Sequence, residues 1–223
     1  TPPGEQLHTR LADAIEFAAR VAEVELNAST DNPLVFGDEV LSGGNFHGQP
    51  VAQALDFLAI ALTTLQAISE RRVERLVNPD LSQGLPAFLT ADPGLSSGFM
   101  MVQITAASLV AESRSLAHPA SIGSIPTDAN QEDFVPMGMA AAAKCRRIWA
   151  NAVRVVASEL LSGAQGLEFL KPLRPGVGVA DLFDRIRSGP DGVEALAEDR
   201  PPSPDLERLA RRVARGELDP GPA

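Results

Sequence analysis

Tyrosine does not occur in this chain of 223 residues, cysteine occurs once, and histidine three times. The lone Cys145 excludes an intramolecular disulfide and fits a reducing compartment. His8, His47 and His118 stand far apart. With one cysteine they make no cluster at metal-ligand spacing, so no metal is expected. Neither G-x-G-x-x-G nor G-x-x-x-x-G-K-[ST] occurs, which leaves nucleotide binding without support. No run approaches the roughly 20 apolar residues of a membrane span. The opening TPPGEQLHTRLADAIEF has no apolar stretch bounded by basic residues, so neither a membrane nor a signal peptide is expected. A net charge of −10 argues against a nucleic-acid surface. The expected setting is cytoplasmic.

What remains is a globular composition, 44% hydrophobic and 22% charged, patterned almost throughout with helical periodicity. Leu11, Ile15, Ala18, Ala22 and Leu26 mark a first helix that ends before the breaker STDNP. LVFGDEVLSGGNFHGQP alternates short apolar runs with glycine and reads as a loop or small hairpin. Pro50 suits the first turn of a second helix running to about Val77. Within it Leu55, Leu58, Leu62 and Leu65 step by the spacing of a packed seam. A long proline- and glycine-rich connection follows from Asn78, of the kind that is functional or packed over something. A third helix is expected over Phe99 to Ala117, ended by His118-Pro119. A fourth of about 30 residues is expected over Gln131 to Leu161. Beyond Lys171-Pro172 two short helices are expected, the second capped by Ser203 or Asp205. The fold class is therefore all-α. A long-helix bundle segment over 1–170 would carry the functional loops, and 171–223 would form a peripheral tail. Helices of such length suggest a bundle that oligomerises.

Two stretches could carry chemistry. In GGNFHGQP, two glycines let the backbone approach another group while Asn45, Phe46 and His47 project from a constrained turn. It is either a loop leading into a helix, with a staple-like phenylalanine, or a loop presenting an aromatic ring and an amide to a ligand. In TDANQED, five carboxylates and amides crowd six positions where one cap would suffice. With Asn130 as structural cap of the fourth helix, the outward amides would favour an ionised Glu132, poised as a general base. The other reading is a capping box with a solvated acidic first turn. Arg71, Arg72 and Arg75 suit a helix C-terminus better than an anion site. His118 reads as a helix-terminal residue, and Cys145 as a small buried hydrophobe.

STDNPLVF, GGNFHGQPVA, SERR, GLPAFLT, GLSSGFM, SIPTDANQEDFVPMG and ELLSGAQGLEF, in this order, resemble histidine ammonia-lyase of the aromatic amino acid ammonia-lyase family. The likeness extends through EDRPPSPD and corresponds to the C-terminal half of that family's polypeptide. It implies a superhelical long-helix bundle of the fumarase and aspartase type, assembled as a homotetramer or with the missing N-terminal half. It implies a methylidene-imidazolone prosthetic group made from an internal Ala-Ser-Gly, with L-histidine as substrate and trans-urocanate and ammonia as products. Phe46 matches the phenylalanine flanking substrate and prosthetic group. Glu132 matches the acid that reaches the substrate imidazole, with catalytic and substrate-binding roles, and Gln131 the adjacent substrate-binding amide. The glutamate favours histidine over the phenylalanine or tyrosine lyases and aminomutases of the same family. Phe134 and Pro136 depart from the usual histidine-lyase pattern, which has histidine and serine there.

Ala-Ser-Gly itself is absent from the chain, as are the family's catalytic tyrosines. The chain alone is therefore expected to be inactive. The contrasting expectation from a different class is a catalytically silent helical scaffold.

Overall fold

The computed structural model describes residues 3–219. The first two positions and the last four, which include the end of the expected tail, lie outside the described residues. Among the described residues, six α-helices make up most of the structure: α1 Pro3–Leu26, α2 Gln49–Val77, α3 Met100–Leu116, α4 Gly138–Phe169, α5 Val177–Arg187 and α6 Ser203–Ala214. Between α1 and α2 sits one antiparallel hairpin, β1 Leu34–Phe36 and β2 Glu39–Leu41, in which Val35 pairs with Val40. Gly37 turns it with φ +60°, a conformation that glycine adopts without steric cost.

The chain forms two compact units. The first comprises Thr1–Leu65 and Ser113–Trp149, the second Gln66–Glu112 and Ala150–Ala223. In the first unit Ala59, Cys145 and Ile148 form a buried cluster, with Leu55, Leu58, Leu62, Leu116 and Ala117 packed against it. Most of the leucine seam read from the sequence thus faces a core. Leu11, Ala14 and Ala18 of α1 are buried as well, at the period of an amphipathic helix.

The second unit holds a larger core in which Val77, Leu85, Leu89, Phe99, Val102, Ala157, Leu161 and Ala164 meet Ile186, Val193, Leu206, Leu209, Ala210 and Leu218. The C-terminal segment supplies six of these side chains, so it is a wall of this unit. The compact units do not divide near residue 170. Full burial of each such aliphatic side chain contributes about 1.5–3 kcal/mol, enough to fix α5 and α6 in place. The long connection after α2 is likewise packed, since Leu85 and Leu89 lie in the same core.

Three local expectations need correction. By length and hydropathy α2 could cross a membrane, contrary to the reading that no stretch comes close. Yet it buries Asp56, Gln66, Ser69 and Glu70 among its apolar residues, as a core helix does and a lipid-facing one does not. Helix α6 starts at Ser203 without a side-chain cap. Asp205 instead accepts two hydrogen bonds from Arg200, at 3.2 and 2.8 Å. Finally, α4 begins at Gly138, seven residues later than expected. Pro136 biases Val135 away from helical angles, and Met137 has φ +55°, so the regular helix begins only at Gly138.

Candidate active site

Because α4 starts late, TDANQED is not a first helical turn. Asp128, Ala129 and Asn130 have φ of +49°, +51° and +71°, a short left-handed turn. It is closed by a pair of backbone hydrogen bonds. Thr127 N–H donates to Glu132 O at 2.9 Å, and Glu132 N–H to Thr127 O at 3.3 Å. Asn130 therefore caps no long helix, and the structure overturns that assignment. The field of helix amides invoked for Glu132 falls with it. Gln131 and Glu132 lie instead at the exposed end of a bridge-closed loop.

The loop from Pro119 to Met137 is fastened at several points within the first unit. Ser121 N–H donates to Asp56 Oδ2 at 2.8 Å, and Ser121 O accepts Gln49 Nε2–H at 3.2 Å. Val135 N–H donates to Ser124 Oγ at 2.9 Å, which folds the loop back on itself. Asp56 is further ion-paired with Lys144 of α4. Burial works against ionisation of Asp56, but the hydrogen bonds from Lys144 and from the backbone of Ser121 and Ala120 outweigh it. Its carboxyl is held below the ordinary aspartate value.

The Phe46 loop meets this one through His47. The His47 ring lies 5.4 Å from that of Phe134, centroid to centroid, at an interplanar angle of 32°. Its Nε2 is 2.8 Å from Phe134 O. Gly48 lies beside Pro136, where a Cβ would stand in ordinary contact, 3.6 Å from the proline Cγ. Phe134 and Pro136, the two departures from the histidine-lyase pattern, are thus the residues that face the other loop. On the far side, Asn32 Oδ1 accepts Ser42 Oγ–H at 3.0 Å and Gly43 N–H at 3.2 Å, tying STDNP to the same glycine loop.

Phe46 is 53% exposed at this junction, and Glu132 and Gln131 are exposed on the partner loop. The expected residues therefore sit on two loops that are bonded to each other. Sequence reasoning had His47 projecting from its turn but passed over Asp56, Lys144 and Ser121. Asp56 within QALDFLAIAL and Lys144 within AAAAKC, single charges in apolar helical runs, were the signs to follow.

Other resembling motifs have structural duties in the second unit. Gln165 of GAQG is buried and fully bonded. Its amide donates to Leu89 O and Leu196 O and accepts from Leu196 N–H and Arg187. Asp199 of EDRPPSPD accepts the N–H groups of Ser97 and Gly98 at 2.6 and 2.9 Å, just before α3. Glu70 of SERR, buried, takes Arg71 in a two-pronged ion pair at 2.6 Å and also accepts Gln103 at 3.0 Å. The hydrogen bonds that Arg71 donates to Glu70 raise its pKa above the ordinary value. Arg72 pairs with Glu159 at 3.1 Å. Burial pushes the Cys145 thiol up, consistent with an inert core residue. A cavity of about 550 Å³ in this unit, lined by Leu76, Leu85, Leu167 and Phe183 among others, shares no residue with the two loops.

The chain is thus α-helical, with two bonded loops that carry an aromatic ring, an amide and a carboxylate. The family model for aromatic amino acid lyases matches residues 4–188, and the chain belongs to this family. It is 56% identical over 215 residues to histidine ammonia-lyase of Symbiobacterium thermophilum, and 51% identical over 215 residues to that of Alkaliphilus oremlandii. Each alignment covers 96% of this chain and 42% of the relative. Among solved structures, histidine ammonia-lyase from Trypanosoma cruzi superposes with a TM-score of 0.89 at 44% identity, again over 96% of this chain and 42% of that one. Tyrosine aminomutase from Streptomyces globisporus does so at 0.85 and 39%, over 96% and 40%. The chain thus spans about two fifths of the length of these relatives.

Proposed function

We propose that this chain forms the substrate-facing part of a histidine ammonia-lyase, which eliminates ammonia from L-histidine to give trans-urocanate. The observation that carries this reading is the bonded pair of loops presenting Phe46 on one side and Gln131 and Glu132 on the other. The β-proton of histidine is weakly acidic and its ammonium a poor leaving group, so the reaction needs both an electrophile and a base. Glu132 would bind the substrate imidazole and accept or relay a proton, and Gln131 would hydrogen-bond beside it. Phe46 would stack against the substrate ring. Its exposed face also suits a flat heterocycle, which makes it the residue of this chain that would flank a methylidene-imidazolone. That group, when present, supplies the electrophile. Its Ala-Ser-Gly precursor is not in this chain, so a further segment must bring it.

The identities to histidine ammonia-lyases support histidine over the aromatic amino acids. Likeness to tyrosine and phenylalanine aminomutases, at 36–39% identity, keeps a second reading in view. Turnover of the complete protein on histidine, phenylalanine and tyrosine separates the two. Urocanate absorbance with histidine, and no product from the other two, is the expected outcome. Cinnamate, coumarate or a β-amino acid as main product would overturn it. The chain by itself should make no urocanate. We further propose a cytoplasmic homotetramer, or an assembly with the segment that carries Ala-Ser-Gly.

A further inference from the structure

We infer that His47 is a positioning residue, a neutral imidazole latch that fixes the Glu132 loop against the Phe46 loop through a single Nε2–H donor. The inference rests on the proposed lyase reading and adds a residue to it.

The protonation pattern follows from the two contacts of the ring. Gln49 N–H lies 3.2 Å from His47 Nδ1, and a backbone N–H can only donate, so Nδ1 is the acceptor. The ring proton of a neutral imidazole then belongs to Nε2. Nε2 faces Phe134 O at 2.8 Å, and a carbonyl can only accept. Both nitrogens are thus used, each in the one role its partner permits. The ring also packs on Phe134, which is two residues beyond Glu132, while His47 is one residue beyond Phe46. Beside the Gln49–Ser121 bond at the root of the loop, His47 is the side chain that ties the two segments next to both proposed substrate-facing groups. A displacement of about 1 Å between such groups can cost on the order of 10²-fold in rate.

Two amides dissect the latch in the complete protein. His47→Gln places an N–H near the Nε2 position and keeps the donor to Phe134 O. His47→Asn reaches only as far as Nδ1 and loses it. We expect His47→Asn to lower kcat/KM for histidine by about 10–100-fold and His47→Gln to stay within about threefold of the parent. Because His47 acts through Glu132, His47→Asn should cost almost nothing further in a Glu132→Gln background. Amide hydrogen exchange over residues 127–135 should quicken in His47→Asn and stay near the parent in His47→Gln.

Additive losses in the double variant, or equal losses in Gln and Asn, would overturn the latch while leaving the lyase reading intact. If His47→Asn fails to fold, His47→Gln decides alone, since a loss of about tenfold or more there shows that the Nε2 donor is not what matters. Parental turnover in Glu132→Gln would instead remove the reading beneath it.

Discussion

Asp56 and Lys144 face each other as an ion pair inside the first unit, with side chains only 5% and 12% exposed. One carboxylate thereby joins α2, α4 and the N–H of Ser121 at the root of the Glu132 loop. Removing one partner of a buried pair leaves the other charge uncompensated, which is far more damaging than losing a surface pair. Asp56→Asn should destabilise the protein by about 3–5 kcal/mol in chemical denaturation. Replacing both partners by apolar residues of similar volume should recover much of that loss.

The same pair predicts an acid dependence. The folded carboxyl of Asp56 lies below its ordinary value of 3.8, so the folded state favours its ionised form. Its contribution to stability is complete above the unfolded value and is lost as the pH falls through the lower folded one. Melting temperatures between pH 5 and pH 2.5 should therefore fall more steeply for the parent than for Asp56→Asn. Parallel profiles would show that Asp56 is not the titrating group.

Gly98 gives a stability prediction in the second unit. Its φ is +53°, and a Cβ there would lie 2.4 Å from Phe88 O, an oxygen held by Phe99 N–H at 2.8 Å. Neither atom can retreat without breaking the turn into α3. Gly98→Ala should cost about 2–4 kcal/mol, combining the left-handed penalty with the clash. Asp199→Ala removes an exposed acceptor from Ser97 and Gly98, where water can substitute, and should cost only about 1 kcal/mol. Urea unfolding of the two variants tests the order, and a larger effect for Asp199 would contradict it.

These residues also show what could be read from sequence. The helices were legible because Leu55, Leu58 and Leu62 repeat at a helical period, and Asn78-Pro79 and His118-Pro119 punctuate them. The start of α4 was misread because TDANQED imitates a capped helix, and Pro136 was given too little weight. The left-handed turn at Asp128–Asn130 was hidden by Ala129, a residue with no preference for that conformation. The contact between His47 and Phe134 spans 87 positions, so no local pattern could announce it. Phe46 and Glu132 stood out in two unusual loops, but the substrate-facing roles proposed for them came only from resemblance, since ring and carboxylate alone fit many loops.

Exposed apolar side chains lead to a prediction about assembly. In the first unit Phe57 and Ile60 of α2 are exposed at a spacing of three, and in the second Met101 and Ile104 of α3 repeat that spacing. Helix faces of this kind are normally covered. The chain should sediment as dimers or larger species at micromolar concentration, and Ile60→Glu with Ile104→Glu should shift it toward monomer. A monomeric parent that unfolds in one cooperative step would contradict this.

The decisive prediction concerns Glu132. It lies at the exposed end of the loop bridged by Thr127, six residues before α4 begins, so the stabilising role at the α4 dipole is no longer available to it. An exposed glutamate on a bonded loop makes little difference to folding, and Glu132→Gln should leave the melting temperature within about a degree of the parent. The same change removes a negative charge and a proton acceptor while preserving size and most hydrogen bonding. If Glu132 holds the substrate imidazole and moves a proton, turnover of histidine by the complete protein should fall by about 10²–10⁴-fold. Loss expressed mainly in KM would assign it to binding the imidazole, and loss mainly in kcat to proton transfer. Parental values of both would remove Glu132 from the site and return the functional question to the segment that carries the electrophile.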